Sequence, residues 1–181
     1  MLRILAISGS LRLASSNTAL LRAAAQLVPE GVEVVLYTGI GELPHFNPDL
    51  EGAEPPAVLG FRDALQCAAG VLFSTPEYAH GVPGVLKNAL DWVVGSGELM
   101  DKPVALLNAS ARGAFAQASL TETLTVMTAR MVTEASATIP LLRKDLDAAA
   151  ILAHPPFRDA LRTALDAFAR AIAAGQAQRG A

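Results

Sequence analysis

Short apolar runs rich in branched residues recur along the chain, separated by longer segments whose apolar residues return every three or four positions. Leu2–Ile7, Val32–Tyr37, Val71–Ser74 and Val104–Asn108 are nearly continuous runs, the signature of strands buried on both faces in a parallel sheet. Met131–Thr138 reads as a fifth strand, with Glu134 and Ser136 predicting an edge position and one wet face. Between these runs, Ser16–Val28 carries Leu20, Leu21, Ala24, Leu27 and Val28 at helical spacing, an apolar stripe that faces a sheet. Helices are also predicted over Pro56–Ala69, Pro83–Val94, Phe115–Ala129 and Phe157–Ala174, with Pro156 just before the last of them. Strand alternating with helix implies right-handed crossovers and a doubly wound α/β sheet, helices on both faces. The proline-containing segments 43–56 and 139–156 read as loops, and no repeat, linker or low-complexity tract divides the chain.

Composition narrows this picture. At 181 residues the chain suits one domain, given roughly 150 residues per domain. The 52% hydrophobic and 17% charged content supplies a large core and excludes a disordered chain. A net charge of -3 and a pI near 5.6 argue against a nucleic-acid surface. The single cysteine, Cys67, rules out a disulfide framework or a cysteine zinc cluster within the chain. On its predicted helix, Cys67 reads as a buried small hydrophobe, and a reducing, cytoplasmic compartment is expected. No run approaches the roughly 18 apolar residues of a membrane span, and the apolar start before Ser8 is too short for a signal-peptide core.

In open α/β sheets ligands bind at the carboxyl ends of the strands, which points to Ser8–Asn17, Ser74–Gly81 and Ala109–Gly113. The first of these holds several hydroxyls, Arg12 and the Asn17 amide just before a helix N-terminus. Unpaired N–H groups and the helix dipole favour an anion there, and Arg12 can add charge-assisted bonds to phosphate oxygens. An N-cap by Ser15 or Ser16 explains one hydroxyl of that loop but not all of them. The second loop, with Pro76, Gly81, Pro83 and Gly84, makes a tight turn exposing backbone amides beside Tyr78, a surface that suits a flat polar heterocycle. Trp92 further on reads as core.

Several other chemistries are absent. The chain has no Gly-x-x-x-x-Gly-Lys, no three-glycine dinucleotide fingerprint, no Gly-x-Ser-x-Gly elbow and no His-Glu-x-x-His. His45, His80 and His154 lie far apart, so no metal site is expected.

Together the two loops resemble the NADPH-dependent FMN reductase family. Its Gly-Ser-x-Arg-x-x-Ser-x-Asn pattern is matched by Gly9, Ser10, Arg12, Ser15 and Asn17. Its Pro-Glu-Tyr-Asn-x-x-x-Pro-Gly-x-Leu-Lys-Asn-Ala-x-Asp-Trp pattern is matched by Pro76, Glu77, Tyr78, Pro83, Gly84, Leu86, Lys87, Asn88, Ala89, Asp91 and Trp92. The stretch 43–51 looks like the family's loop after the second strand. Two positions depart: Ala79 replaces the motif's Asn, with His80 as a candidate stand-in, and Ser110-Ala111-Arg112-Gly113 replaces a Ser-x-Gly-Gly turn.

The resemblance implies a flavodoxin-like, five-stranded parallel sheet of order 2-1-3-4-5 that binds FMN without a covalent bond. By the same resemblance, Ser10, Arg12, Ser15, Ser16 and Asn17 hold its phosphate. Pro76, Glu77, Tyr78 and Ala79 border the ring edge through backbone, and Ser110 and Gly113 complete the pocket beneath it. NADPH or NADH supplies hydride to the flavin, which reduces a flavin, quinone or similar small acceptor, and no catalytic acid or base is nominated. A homodimer or homotetramer is also implied, with the helix over Pro83–Val94 as a contact. The rival readings are a quinone, chromate or azo-dye reductase, which differs only in the acceptor, a flavodoxin-like electron carrier with protein partners, and a phosphate- or nucleotide-binding module without redox activity.

Overall fold

A computed structural model describes residues 1–141 and 146–179. Strands β1 (Leu2–Ser8), β2 (Val32–Tyr37), β3 (Gly70–Ser74) and β4 (Pro103–Asn108) alternate with helices α1 (Ser16–Ala25), α2 (Pro56–Gln66) and α3 (Gly84–Val94). There follow α4 (Ala114–Val126), the short strands β5 (Arg130–Met131) and β6 (Ala137–Thr138), α5 (Ala148–Ala153) and α6 (Pro155–Arg179). All strand pairs are parallel, in the order β2-β1-β3-β4-β5, with β6 also paired to β4. This is the doubly wound, flavodoxin-like α/β fold expected.

Strand alternation sends one set of side chains to each face of the sheet. On one face Ile4, Ala6, Leu72, Ala105 and Leu107 pack with Leu20 and Leu21 of α1 and Leu161, Leu165 and Phe168 of α6. On the other, Leu5, Ile7, Val71, Phe73 and Leu106 pack with Phe61 and Leu65 of α2, Leu90 and Trp92 of α3, and Leu120 and Leu124 of α4. Each large side chain so buried is worth roughly 1.5–3 kcal/mol. At Gly70 a Cβ would lie 2.7 Å from Ile172 Cδ1 and 2.9 Å from Phe168 Cζ, so the absence of a side chain lets α6 approach the sheet.

The expected fifth strand is broken. A 3-10 turn over Thr133–Ala135 separates β5 from β6. There the Ser136 hydroxyl accepts from the Leu106 N–H at 3.0 Å and donates to the Val132 carbonyl at 3.3 Å, replacing a ladder contact. Ser136 is therefore half-buried and bonded, not on a wet face. The expected loop 139–156 contains α5, capped by the Asp147 carboxylate, which accepts from the Ala150 N–H at 2.8 Å; four residues of that loop, 142–145, lie outside the described residues. Pro156 sits inside α6 rather than before it, which its first turn permits. The first helix stops at Ala25, three residues short of the expected end, and Leu27 and Val28 still pack against the core. Cys67 ends α2 and is exposed, contrary to expectation, because it falls on the face that points away from Val58, Phe61 and Leu65.

Candidate functional site

Register carries the loops to one edge. Ser8 pairs with Ser74 at the carboxyl ends of β1 and β3, and Asn108 pairs with Thr138 at the end of β4. The three polar loops therefore share the edge where a doubly wound sheet binds its ligand. A cavity of about 630 Å³ lies at the opposite edge beneath Met1, Arg3, Cys67 and Lys102 and shares no residue with these loops.

In the first loop, the Ser8 hydroxyl accepts from the Ser10 N–H at 3.3 Å and pairs with the Thr18 hydroxyl at 2.8 Å. The Ser10 hydroxyl in turn accepts from the Arg12 N–H at 3.3 Å. Ser15 is the N-cap of α1, its hydroxyl accepting from the Thr18 N–H at 3.3 Å. The N–H groups of the first helical turn, Asn17 among them, have no intrahelical acceptor and project from the positive end of the helix. Arg12 is exposed beside them. Gly9 donates to the Ser74 carbonyl at 2.9 Å, and a Cβ there would strike the Thr75 hydroxyl and lie 2.8 Å from Thr75 Cβ. Only glycine lets the loop lie this close to β3.

Asn17 does more than the motif implies. Its Oδ1 accepts from the Ser74 hydroxyl at 2.9 Å, and both residues are buried. The side chain is thus a clasp between α1 and the end of β3, which leaves its NH2 group and its backbone N–H for any ligand.

The second loop turns sharply at Tyr78–Gly81, where Tyr78 N–H donates to the Gly81 carbonyl at 3.1 Å and Gly81 N–H to the Tyr78 carbonyl at 2.9 Å. Its two central residues are left-handed, Ala79 at φ 50° and His80 at φ 59°. For non-glycine residues that conformation costs roughly 1–2 kcal/mol each, and Asn tolerates it better than Ala. The motif's Asn therefore suits this backbone, and Ala79 departs from it at a strained position. The His80 ring, rather than replacing an amide, stacks on Phe115 with centroids 4.1 Å apart. Tyr78 is 60% exposed.

The resemblance assigns Glu77 a backbone role, and its side chain has a second one. Oε2 accepts from the Ala116 N–H at 2.9 Å, in the first turn of α4. Gly113, the N-cap of α4, has no side chain to do this, so the second loop caps the helix that follows the third. In the third loop, Asn108 Oδ1 accepts from the Ser110 N–H at 2.9 Å, and the Ser110 hydroxyl from the Arg112 N–H at 3.2 Å. This repeats the chain of bonds from Ser8 to Ser10 to Arg12. The sequence does not single out Glu77–Ala116, His80–Phe115 or Asn108; the two pairs join segments far apart in the chain, and no local pattern marks them.

Other residues of the long second motif are structural. Asn88 Nδ2 and Trp92 Nε1 both donate to the Pro44 carbonyl, at 2.9 and 2.8 Å, and Asn88 Oδ1 accepts from the Phe46 N–H at 2.8 Å. They stitch the 43–56 loop to α3, with Phe46 edge-on to Trp92. Lys87 and Asp91 pair at 2.6 Å, one turn apart. Nearby, Arg62 bonds Glu54 at 2.7 Å and the Trp92 carbonyl at 3.0 Å. Bonds from the backbone N–H of Glu54 itself, from Arg62 and from the Gly52 N–H hold the Glu54 carboxyl below its ordinary range. Burial, and the nearby Glu42 carboxylate, raise the Tyr37 phenol above its ordinary value.

Residues 2–141 match the profile of the NADPH-dependent FMN reductase family. The chain belongs to that family. Within it, the chain is 37% identical over 173 residues to the NAD(P)H-dependent FMN reductase PA1204 of Pseudomonas aeruginosa, covering 92% of each chain. It is 43% identical over 113 residues to an NADPH:quinone oxidoreductase of Arabidopsis thaliana, covering 60% of this chain and 58% of that one. Among solved structures, FerB, a flavoenzyme NAD(P)H:(acceptor) oxidoreductase from Paracoccus denitrificans, superposes with a TM-score of 0.85 at 31% identity, covering 95% of this chain and 97% of that one. The family match ends at Leu141, so α5 and α6 lie beyond it, and the likeness to FerB extends over them. Among the described residues no helix is long and apolar enough to cross a membrane.

Proposed function

We propose that this chain is an NAD(P)H-dependent FMN oxidoreductase, a single flavodoxin-like FMN-binding domain that passes electrons from NADPH or NADH to a flavin, quinone or similar small acceptor. The observation that carries the reading is the convergence of three clasped polar loops, one of them leading into the N-terminus of α1, at the carboxyl edge of this sheet. The residues present fit FMN: Gly9 leaves no side chain between the first loop and β3, and the first turn of α1 offers N–H groups beside the exposed Arg12.

In this reading Ser10, Arg12, Ser15, Ser16 and the Asn17 N–H groups hold the phosphate. The backbone of Pro76, Glu77, Tyr78 and Ala79 borders the ring edge, and Ser110 and Gly113 lie beneath the ring. FMN, when bound, supplies hydride acceptance and onward electron transfer. The protein supplies position: Asn17 locks the first loop to β3, and Glu77 locks the second loop to α4. Tyr78 and Phe115, both more than half exposed, flank the space in which a planar substrate stacks.

The carrier reading finds less support, since a net charge of -3 gives a weak field for docking basic partners. A homodimer or homotetramer in the cytoplasm belongs to the same proposal. The apolar stripe of α3 faces the core, with Leu86, Ala89, Leu90, Trp92 and Val93 buried. Val94 at the end of α3 is exposed and extends the helix's apolar surface outward. Titration with FMN tests the cofactor: Arg12→Ala weakens binding about tenfold or more, the loss of one charge-assisted contact, while riboflavin, which lacks the phosphate, binds both proteins alike. Equal FMN affinity in the two proteins removes the phosphate assignment.

A further inference from the structure

A cleft of about 530 Å³ opens beside the third loop, between the first half of α4 and β6. That volume lies in the roughly 300–1,000 Å³ range of small-molecule sites. Ala111, Ala114 and Ala118 give it a wall of small side chains, and Asn108, Gln117 and Glu122 bring it polar groups.

Asn108 is the telling member. It is only 7% exposed, and its Oδ1 is taken by the Ser110 N–H. Its Nδ2 donates to no group among the described residues. That NH2 group is not sealed in the core but is open to solvent, which leaves it free to donate to an acceptor brought by a ligand. The half-buried Gln117 carboxamide likewise has no partner among the described residues. The exposed Arg112 stands in the chain between lining residues Ala111 and Ala114, and Glu122 follows about two helical turns after Ala114. A cation at one end, carboxamides in the middle and a carboxylate at the far end match phosphate, base edge and ribose hydroxyls in turn.

We propose that this cleft receives the adenosine half of the nicotinamide dinucleotide, with Asn108 and Gln117 on the purine edge, Glu122 on ribose hydroxyls and Arg112 on the phosphates. The inference rests on the flavin reading. A nicotinamide stacked at the ring leaves the rest of the dinucleotide to be housed, and the cleft shares Asn108 and Ala111 with the turn beneath that ring. It also assigns a purpose to Arg112, one of the residues that departs from the family's glycine-rich turn.

The test uses FMN-loaded protein and ADP as the probe, by calorimetric titration and by inhibition of NADH oxidation. ADP, which like NADH has free ribose hydroxyls, is expected to bind and to compete with NADH. Ala118→Trp, at an exposed helical position that tolerates the substitution, fills the cleft. It is expected to weaken ADP and raise the NADH KM by about tenfold or more with the flavin still bound. Arg112→Gln is expected to weaken ADP while leaving adenosine unaffected. Absence of ADP binding, or unchanged ADP affinity and KM in a folded, yellow Ala118→Trp protein, overturns the proposal. A protein that retains no FMN overturns the flavin reading instead, and the ADP titration of wild type against Ala118→Trp still decides the cleft.

Discussion

Glu77 and Ala116, 39 residues apart, are joined by a 2.9 Å hydrogen bond from the Ala116 N–H to the Glu77 carboxylate. One side chain thereby fixes the second loop, orients the first turn of α4 and sets the third loop between them. A carboxylate at a helix start satisfies an orphan donor and meets the helix dipole.

Replacing it separates those two effects. Glu77→Ala is expected to lower stability by about 1 kcal/mol and to weaken FMN binding, because both flanking loops loosen. Glu77→Gln keeps an acceptor oxygen and is expected to lose only roughly 0.3–1 kcal/mol. Thermal melts and FMN titrations of both proteins check this; equal losses in the two would deny the capping role.

The strained turn yields an opposite sign. Ala79 at φ 50° is expected to be improved by Ala79→Asn or Ala79→Gly, by roughly 1 kcal/mol. For a chain of this size that is a rise of about 2–4 °C in Tm. A fall in Tm for both substitutions would mean that the Ala79 methyl contributes packing that outweighs the strain.

The Asn17–Ser74 clasp is buried, so its two halves are expected to behave unequally. Ser74→Ala removes the donor and leaves Asn17 Oδ1 unpaired in a buried position, at a cost of roughly 1–3 kcal/mol. The paired change Asn17→Ala with Ser74→Ala is expected to cost less than the sum of the single changes. Strict additivity in urea unfolding would show that the 2.9 Å contact carries no coupling.

Glu54 gives a pH dependence. Its carboxyl is held below the ordinary value of 4.5, so the folded state favours the ionised form. The resulting stability is present above that value and is lost as pH falls through the lower folded value. Wild type is therefore expected to be more stable than Glu54→Gln at neutral pH, with the gap closing below about pH 4.5. A constant gap across that range would show that the fold does not hold the Glu54 carboxyl low.

Much of this is legible in the chain. Continuous apolar runs announce the parallel strands, and the polar residues after the first of them announce a loop that caps a helix start, because both are local patterns. The interruption at Thr133–Ala135 is not legible, since it depends on the Ser136 hydroxyl meeting Leu106, 30 residues away. Cys67 escapes its expected burial because one residue's angular position at a helix end decides its exposure. The clasps at Asn17 and Glu77 are hidden for a related reason: the motif names the residues, but only the fold shows which side chains are already occupied. Arg112 is a mere departure from a glycine-rich turn in the sequence, and the cleft beside it exists only in the fold.

The central claim is that this site binds FMN and reduces it with a nicotinamide cofactor. Its most direct test is the absorbance spectrum of the protein after FMN is added and the excess removed, followed by NADPH in the absence of oxygen. The account predicts retained flavin bands that bleach on the time scale of turnover and return when a quinone is admitted. Bands that persist with both NADPH and NADH, or a protein that retains no flavin, would contradict it.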